Sequence, residues 1–406
     1  MTVAERELRR EPVPRGKLLD GLALRILGRA LEGLEGGALE VALPDGELRR
    51  FGHGKTVALA VHDRALLRRL ATRGVMGFGE SYTAGEWSTD DLVALCELLL
   101  RNAEAARHRH PRLRRLLDAR PRPNTRNGLF RARRNIAYHY DLGNELFALM
   151  LDDTMTYSCA VFGHDDEPLA DAQRRKYRLI CERLQLEPSD RVLEIGCGWG
   201  GFAAFAATEF GCSVTGLTIS RAQALLARER TAGLDVRIVE QDYREHVLEH
   251  RGGYTKIASI EMLEAIGERQ FGTYFAALDR LLEPGGIACV QTILVPDERW
   301  NRYRRKPDWI ERYVFPGCLI PSLGALTHAA ATRSKLAITR VDEIGPHYAE
   351  TLRRWRASFN RNLERVRRLG YDERFVRTWD FYLASCEAAF RTRWLGDAQL
   401  TLERRA

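Results

Sequence analysis

A chain of 406 residues exceeds the usual size of one domain and predicts roughly two to three of them. With 45% hydrophobic and 29% charged residues it has material for a sizeable core, which excludes wholesale disorder and a collagen-like repeat. The formal charge of +8 favours an anionic partner, and no stretch reaches the roughly 18 uncharged apolar residues of a membrane-spanning helix, so any work on a membrane is expected from its surface. The opening residues MTVAERELRREP lack the apolar block of a secretory signal, which leads us to expect a cytoplasmic protein. Eight cysteines, none paired as C-x-x-C, fit that compartment as small buried residues and support neither a zinc ribbon nor a redox dithiol.

Along the chain, apolar residues at helical spacing over Leu18 to Gly33 precede ALEVALPDGELRRF, which predicts two strands joined through Pro44, Asp45 and Gly46. Asp63 to Arg73 and Thr89 to Arg101 read as helices separated by the glycine-rich VMGFGESYTAGEW. Between Arg101 and Arg134 twelve arginines face only Glu104 and Asp118. Such a patch suits phosphate groups, at about 1 kcal/mol per basic side chain on an anionic membrane. Within it ARPRPNTRNG breaks the pattern and sets a boundary, giving an accessory domain at 1–122 and a second domain at 123–406.

From Ser189 the apolar runs RVLEI, SVTGL, VRIVE, KIASIEM and IACVQTILV alternate with helical segments, which predicts a doubly wound, mostly parallel α/β sheet. The last hundred residues read as long charged helices, and no internal repeat is present. VLEIGCGWGG places Gly196, Gly198 and Gly201 between a strand and a helix, where backbone can approach a ligand and helix N–H groups are free. A nicotinamide enzyme would have an acid at the end of the next strand, but GLTIS stands there. The acid, Glu194, precedes the glycines instead, and the resulting E-x-G-x-G-x-G resembles the first motif of S-adenosylmethionine-dependent methyltransferases.

Further blocks narrow the resemblance. HYDLGNELFALMLDDTMTYSCAVF at 139–162, then GLTIS, QDYRE, SIEMLEAIG, YVFPGCLIPS and IGPHYAETLRRW, run in order through residues 70–400 and closely resemble the cyclopropane fatty acyl phospholipid synthases. The resemblance implies a smaller, mainly helical N-terminal lipid-handling domain and a Rossmann-like, class I methyltransferase domain. It also implies transfer of the S-adenosylmethionine methyl carbon to the double bond of an unsaturated phospholipid acyl chain, closing a cyclopropane ring. The alternative is a methyltransferase on the same chains that stops at a methylene or methyl branch. Tyr157, Ser158, Gly196, Gly198, Thr218, Gln223, Gln241 and Asp242 would then hold the cofactor. Ser220 reads equally as the cap of the helix that follows it.

In that family a bound bicarbonate accepts the proton, held by a cysteine segment, a glutamate, a histidine and a tyrosine. Cys159, Glu264 and Tyr348 match three of these, and Glu261 is not expected in the set. The histidine is absent: Gln291 of CVQTIL stands in its place and can donate a hydrogen bond but cannot relay a proton. His139 reads as structural, and Cys159 as a wall residue rather than a nucleophile. Tyr313, Phe315 and the loop to Pro321 are expected along the acyl path, and Trp300, Trp309 and Tyr303 among arginines at a headgroup interface. The expected partners are unsaturated phospholipids at the anionic inner face of the membrane and a second copy in a homodimer. No metal is expected, and nucleic acid is not, since no N-P-P-Y-type loop follows the fourth strand.

Overall fold

The computed structural model describes residues 31–109 and 142–405, together with Arg25, Gly28 and Arg29. The boundary at 122, most of the first predicted helix, the basic stretch beyond residue 109 and His139 lie outside the described residues. The chain forms two compact units. The first takes Met1–Arg122 and also Lys306–Tyr313 and Leu363–Trp394; the second takes the remainder. A linear division at 122 therefore misses two later segments, because the apolar stripe of helix Glu373–Arg391 is spent on the first unit, with Phe381 at 5.5 Å from Tyr82 and 6.3 Å from Phe78.

In the first unit the expected hairpin is present, with β1 (Ala38–Ala42) antiparallel to β2 (Leu48–Gly52). It belongs to a larger sheet, since β3 (Thr56–Val61) runs parallel to β1 and β4 (Trp87–Ser88) closes the order β2-β1-β3-β4. This unit is mainly helical among the described residues, with the small sheet beside its helices. The glycine-rich segment expected to separate two helices is itself helical: Ala65–Thr83 is continuous apart from a kink at Gly74, whose φ of 56° and ψ of −134° leave the helical region. Its glycines serve close packing. A Cβ on Gly77 would lie 2.3 Å from the Arg69 carbonyl oxygen, and one on Gly79 would lie 2.5 Å from the indole of Trp309.

The second unit is built on seven strands: β5 (Arg191–Ile195), β6 (Ser213–Thr218), β7 (Val236–Glu240), β8 (Tyr254–Ile260), β9 (Leu282–Leu294), β10 (Leu336–Glu343) and β11 (Gly396–Arg404). Their order is β10-β11-β9-β8-β5-β6-β7, with β5 to β9 parallel and β11 antiparallel to both its neighbours. All five predicted strands are present, while β10 and β11 arise in sequence read as helix. The chain runs outward from β5 through β6 and β7, then returns to β8 on the other side. The carboxyl ends of β5 and β8 therefore flank the point where the winding reverses, where such sheets open a crevice.

Apolar runs buried on both faces explain why these strands sit in the middle. On one face Val192 and Val214 pack with Tyr177, Ile180, Cys181, Leu184, Phe202 and Ala206 of two helices. On the other, Leu193, Leu217 and Ile257 pack with Tyr274, Phe275, Leu278 and Leu281. Seven of the eight cysteines are buried, and all eight are free thiols. No helix among the described residues is long and apolar enough to cross a membrane.

The contact at Gly79 gives a test of the first unit. Gly79→Val drives a branched side chain into the Trp309 ring and is expected to cost about 1–3 kcal/mol, as overpacking of a close-packed core does. Urea unfolding followed by tryptophan fluorescence measures it; an unchanged midpoint would show that the ring can move aside.

Candidate active site

The glycine loop leaves β5 with Gly196 at φ 86°, Gly198 at φ 52° and Gly200 at φ 80°, all in the region that L side chains avoid. The N–H groups of Gly196 and Cys197 both donate to the Leu217 carbonyl, at 2.9 and 2.8 Å, pinning the loop against β6. A Cβ on Gly196 would meet Met262 at 2.9 Å, whereas nothing lies within 4 Å of the corresponding point at Gly198. The loop thus presents bare backbone to open space before helix Gly201–Phe210. Trp199 braces it by donating from Nε1 to Asn144 Oδ1 at 2.7 Å. Beneath it lies Glu194, 3% exposed, whose Oε2 has no partner and whose carboxyl burial pushes up to about 8. A bare backbone cradle beside an unpartnered buried carboxyl fits the amino acid end of S-adenosylmethionine.

At the end of β6, Thr218 donates from Oγ1 to Gln223 Oε1 at 2.9 Å, and Ser220 caps the next helix by accepting from Gln223 N–H. Thr218, Gln223 and the Ser220 cap thus form one buried cluster. After β7, Asp242 also caps a helix, accepting from Arg244 N–H at 2.9 Å and pairing with the Arg244 guanidinium at 2.7 Å. Gln241 is held at both its backbone and its side chain. Its main-chain N–H donates to the Thr218 carbonyl, but its side chain turns to His246 Nδ1 at 2.7 Å and Glu249 at 3.2 Å. Only its backbone adjoins the Thr218 cluster.

The TYSC segment contributes in two ways. Tyr157 sits in an aromatic cluster, 5.2 Å from Phe147, 5.1 Å from Trp355 and 6.4 Å from Phe315 between ring centroids. Ser158 accepts from the Lys176 ammonium at 2.7 Å through Oγ and from Gln173 at 3.0 Å through its carbonyl. Lys176 is fully buried, which lowers its ammonium to about 8 against the opposing pull of nearby carboxylates. Sequence reading did not single it out, since a lysine on an amphipathic helix reads as solvent-facing. Burial raises the Cys159 thiol well above its ordinary range, consistent with a wall residue.

Four groups expected to surround the proton acceptor do not meet as expected. The carboxylate bonded to Cys159, Gln291 and Tyr348 is Glu261, not Glu264. Glu261 Oε1 accepts from the Cys159 N–H and from Gln291 Nε2, both at 2.8 Å, and Oε2 accepts from the Tyr348 hydroxyl at 2.5 Å. The physical reason is the backbone. Glu261 follows β8 with φ 48°, rare for a residue with a side chain, and its N–H is latched to the Gln291 carbonyl at 2.8 Å. Glu264, in the following turn, instead accepts from Thr292 Oγ1 at 2.8 Å and Ile293 N–H at 2.5 Å, with Oε2 unpartnered. Burial and then the charge of Glu261 push its carboxyl up to about 8. Bicarbonate does not fit this arrangement, because Glu261 already engages the donors that would hold it.

Gln291 is fixed at both ends of its amide. Gln399, directly opposite on β11, donates to Gln291 Oε1 at 3.1 Å, which turns the NH2 group toward Glu261. Asp397, on the same strand and fully buried, lies 3.5 Å from that nitrogen. Both residues escaped sequence reading; the available signal was the D-x-Q alternation in GDAQLTL, polar side chains within an otherwise apolar run. The aromatic expectations divide. Trp300 and Trp309 are buried at 9% and 5% exposure, so neither forms a headgroup interface. Phe315 joins the Tyr157 cluster, whereas Tyr313 belongs to the first unit and donates to Glu80 at 2.5 Å.

Comparison with known proteins agrees with this geometry. The profile of the mycolic acid cyclopropane synthetase family matches residues 128–400. The chain is 39% identical over 408 residues to the tuberculostearic acid methyltransferase of Mycobacterium tuberculosis, covering 97% of this chain and 94% of that one. It is 37% identical over 335 residues to the cyclopropane-fatty-acyl-phospholipid synthase of Escherichia coli K12, covering 82% and 85%. Among solved structures, a cyclopropane synthase of M. tuberculosis superposes with a TM-score of 0.61 at 27% identity, covering 67% of this chain and 98% of that one. A mycolic acid cyclopropane synthase holding S-adenosylhomocysteine superposes at 0.60 and 29% identity, with the same coverage. A glycine cradle at the sheet's reversal point, set within the family's pattern over residues 128–400, places this chain in the cyclopropane synthase family of S-adenosylmethionine-dependent methyltransferases.

Proposed function

We propose that this enzyme methylates the double bond of an unsaturated acyl chain, that Glu261 removes the proton, and that the product is a methylene branch rather than a ring. S-Adenosylmethionine supplies the electrophilic methyl group. The chain's residues must hold a weak alkene nucleophile in line, exclude water and take up one proton. The aromatic cluster around Tyr157 suits the first two tasks, and ring faces also stabilise positive charge on the substrate. The observation that carries the reading is Glu261, an acceptor anchored by three donors where the family uses a free anion.

Anchoring bears on the product. After methyl addition the cation lies on the carbon next to the methylated one. Immediate loss of a methyl proton closes a three-membered ring. A base tethered at three points cannot follow the methyl group, which leaves time for a hydride to move over and convert the secondary cation to a tertiary one. That cation sits on the methyl-bearing carbon, so loss of the same methyl proton yields an exocyclic double bond. The 39% identity with a tuberculostearic acid methyltransferase supports the open product, while the E. coli relative favours cyclopropane as the second reading.

We further propose that the substrate is an acyl phospholipid presented at an anionic bilayer surface and that the working form is a homodimer, read from the +8 charge and from the family. Binding to anionic vesicles is then expected to fall as salt screens the surface; salt-independent flotation would remove the electrostatic part of this reading.

Two measurements test the chemistry. Incubation with S-adenosylmethionine and monounsaturated phospholipid vesicles should add one methylene unit to the acyl chain and give vinylic proton NMR signals. Upfield ring protons would establish cyclopropanation, and no mass gain would exclude this substrate. Glu261→Gln should lower kcat by roughly 10²–10⁴-fold, the usual contribution of a general base, with cofactor affinity unchanged. Wild-type turnover should be indifferent to bicarbonate; a strict requirement for it would show that Glu261 is not the base.

A further inference from the structure

Strand β11 alternates in an unusual way for a strand buried on both faces. Ala398, Leu400 and Leu402 pack into the core on one side of the sheet. Asp397, Gln399 and Thr401 therefore point to the other, and all three are buried, Gln399 at 1% exposure. A buried glutamine costs free energy unless its amide is paired. Gln399 lies directly across from Gln291 of β9, and its Nε2 donates to Gln291 Oε1 at 3.1 Å. The other end of the buried Gln291 amide faces three acceptors, with Glu261 Oε1 at 2.8 Å, the Cys159 carbonyl at 3.4 Å and Asp397 Oδ2 at 3.5 Å from Nε2. An amide oxygen can only accept, so this orientation requires a donor on the far side, and Gln399 provides it.

We propose that Gln399 is the positioning residue that selects the product: by supplying the donor that Gln291 Oε1 needs, it holds the Gln291 amide against Glu261, and a held Glu261 yields the methylene branch rather than the ring. This rests on the reading of Glu261 as the base. Gln399 acts on that base through Gln291.

The two fates of the cation differ in what moves first. If Glu261 can follow the methyl group, a methyl C–H bond breaks, its electron pair bonds the adjacent cationic carbon to close the ring, and the proton goes to Glu261. If Glu261 is held, a hydride first moves from the methyl-bearing carbon to its cationic neighbour. The methyl C–H pair then forms the exocyclic double bond, and the proton again goes to Glu261. Either way Glu261 returns it to solvent before the next turnover. Without Gln399 the Gln291 oxygen is buried and unpaired, a cost the amide relieves by rotating, which takes Nε2 away from Glu261. Glu261 then keeps the Cys159 N–H and the Tyr348 hydroxyl but loses the donor that ties it to β9.

Gln399→Met keeps the length of the side chain and removes the donor. With S-adenosylmethionine and monounsaturated phospholipid vesicles it should lower kcat by roughly 2–10-fold, the range of one neutral hydrogen bond, with KM unchanged. It should also add upfield ring protons to a product whose wild-type spectrum is vinylic. Gln291→Met should do the same, and the double variant Gln291→Met with Gln399→Met should match Gln291→Met alone, whereas a merely structural Gln399 would add its own loss. Binding of S-adenosylhomocysteine and circular dichroism confirm folding; if Gln399→Met fails to fold, Gln399→Asn, whose shorter amide falls short of Gln291, takes its place. An unchanged product in the Gln399 variant, or a double variant worse than Gln291→Met, overturns the proposal. The readings fail separately. Turnover by Glu261→Gln defeats the base, and a wild-type enzyme that makes only rings defeats the open product and this selection together. A vinylic product from both wild type and Gln399→Met defeats the role of Gln399 alone.

Discussion

Everything in the catalytic unit converges on holding one carboxylate, Glu261, in a left-handed turn at the end of β8. A residue with a side chain resists that backbone conformation by of order 1–3 kcal/mol, so the surroundings must over-determine it. They do so from three directions: a main-chain N–H from the segment before the sheet, an amide from β9 and a phenol from helix Gly345–Arg361. Elements distant in sequence are thereby tied to one side chain, and the sheet order makes that possible by setting β9 beside β8 and β11 beside β9.

The same sheet separates two tasks. The glycine loop at the end of β5 offers bare backbone to the cofactor, while the end of β8, its direct neighbour, holds the carboxyl group that we propose takes up the proton. The cofactor loop and the proposed base thus stand on adjacent strands, on either side of the winding reversal. Among the described residues Lys176 places a buried positive charge among these acids, and its contact with Ser158 links the cofactor-side segment to the acid cluster.

Legibility in the sequence followed the range of the interactions. The glycine loop, the five parallel strands and the cap at Ser220 are set by neighbours a few residues away, and their patterns are plain. Strands β10 and β11 were missed because their partners lie far along the chain. LAITRVDE carries charges on an exposed edge, and GDAQLTLER mixes polar residues into a buried strand. The choice between Glu261 and Glu264 could not be read either. Three residues separate them, and nothing in SIEMLEAIG announces that a glutamate rather than a glycine adopts positive φ. Family resemblance points to Glu264 by position, while Cys159, Gln291 and Tyr348 hydrogen-bond to its neighbour Glu261.

The interleaving of the two units has a consequence for how the protein comes to exist. Helix Glu373–Arg391 completes the first unit, and β11, emerging just after it, sits between β9 and β10. Neither unit can close before these late elements have been made. Until then β9 presents an unpaired edge lined with apolar side chains, and Phe78 and Tyr82 await their aromatic partner. Such surfaces are aggregation-prone during synthesis. The architecture that brings Asp397 and Gln399 into the heart of the site therefore delays closure of both units until those strands are available, and leaves that surface in need of protection until then.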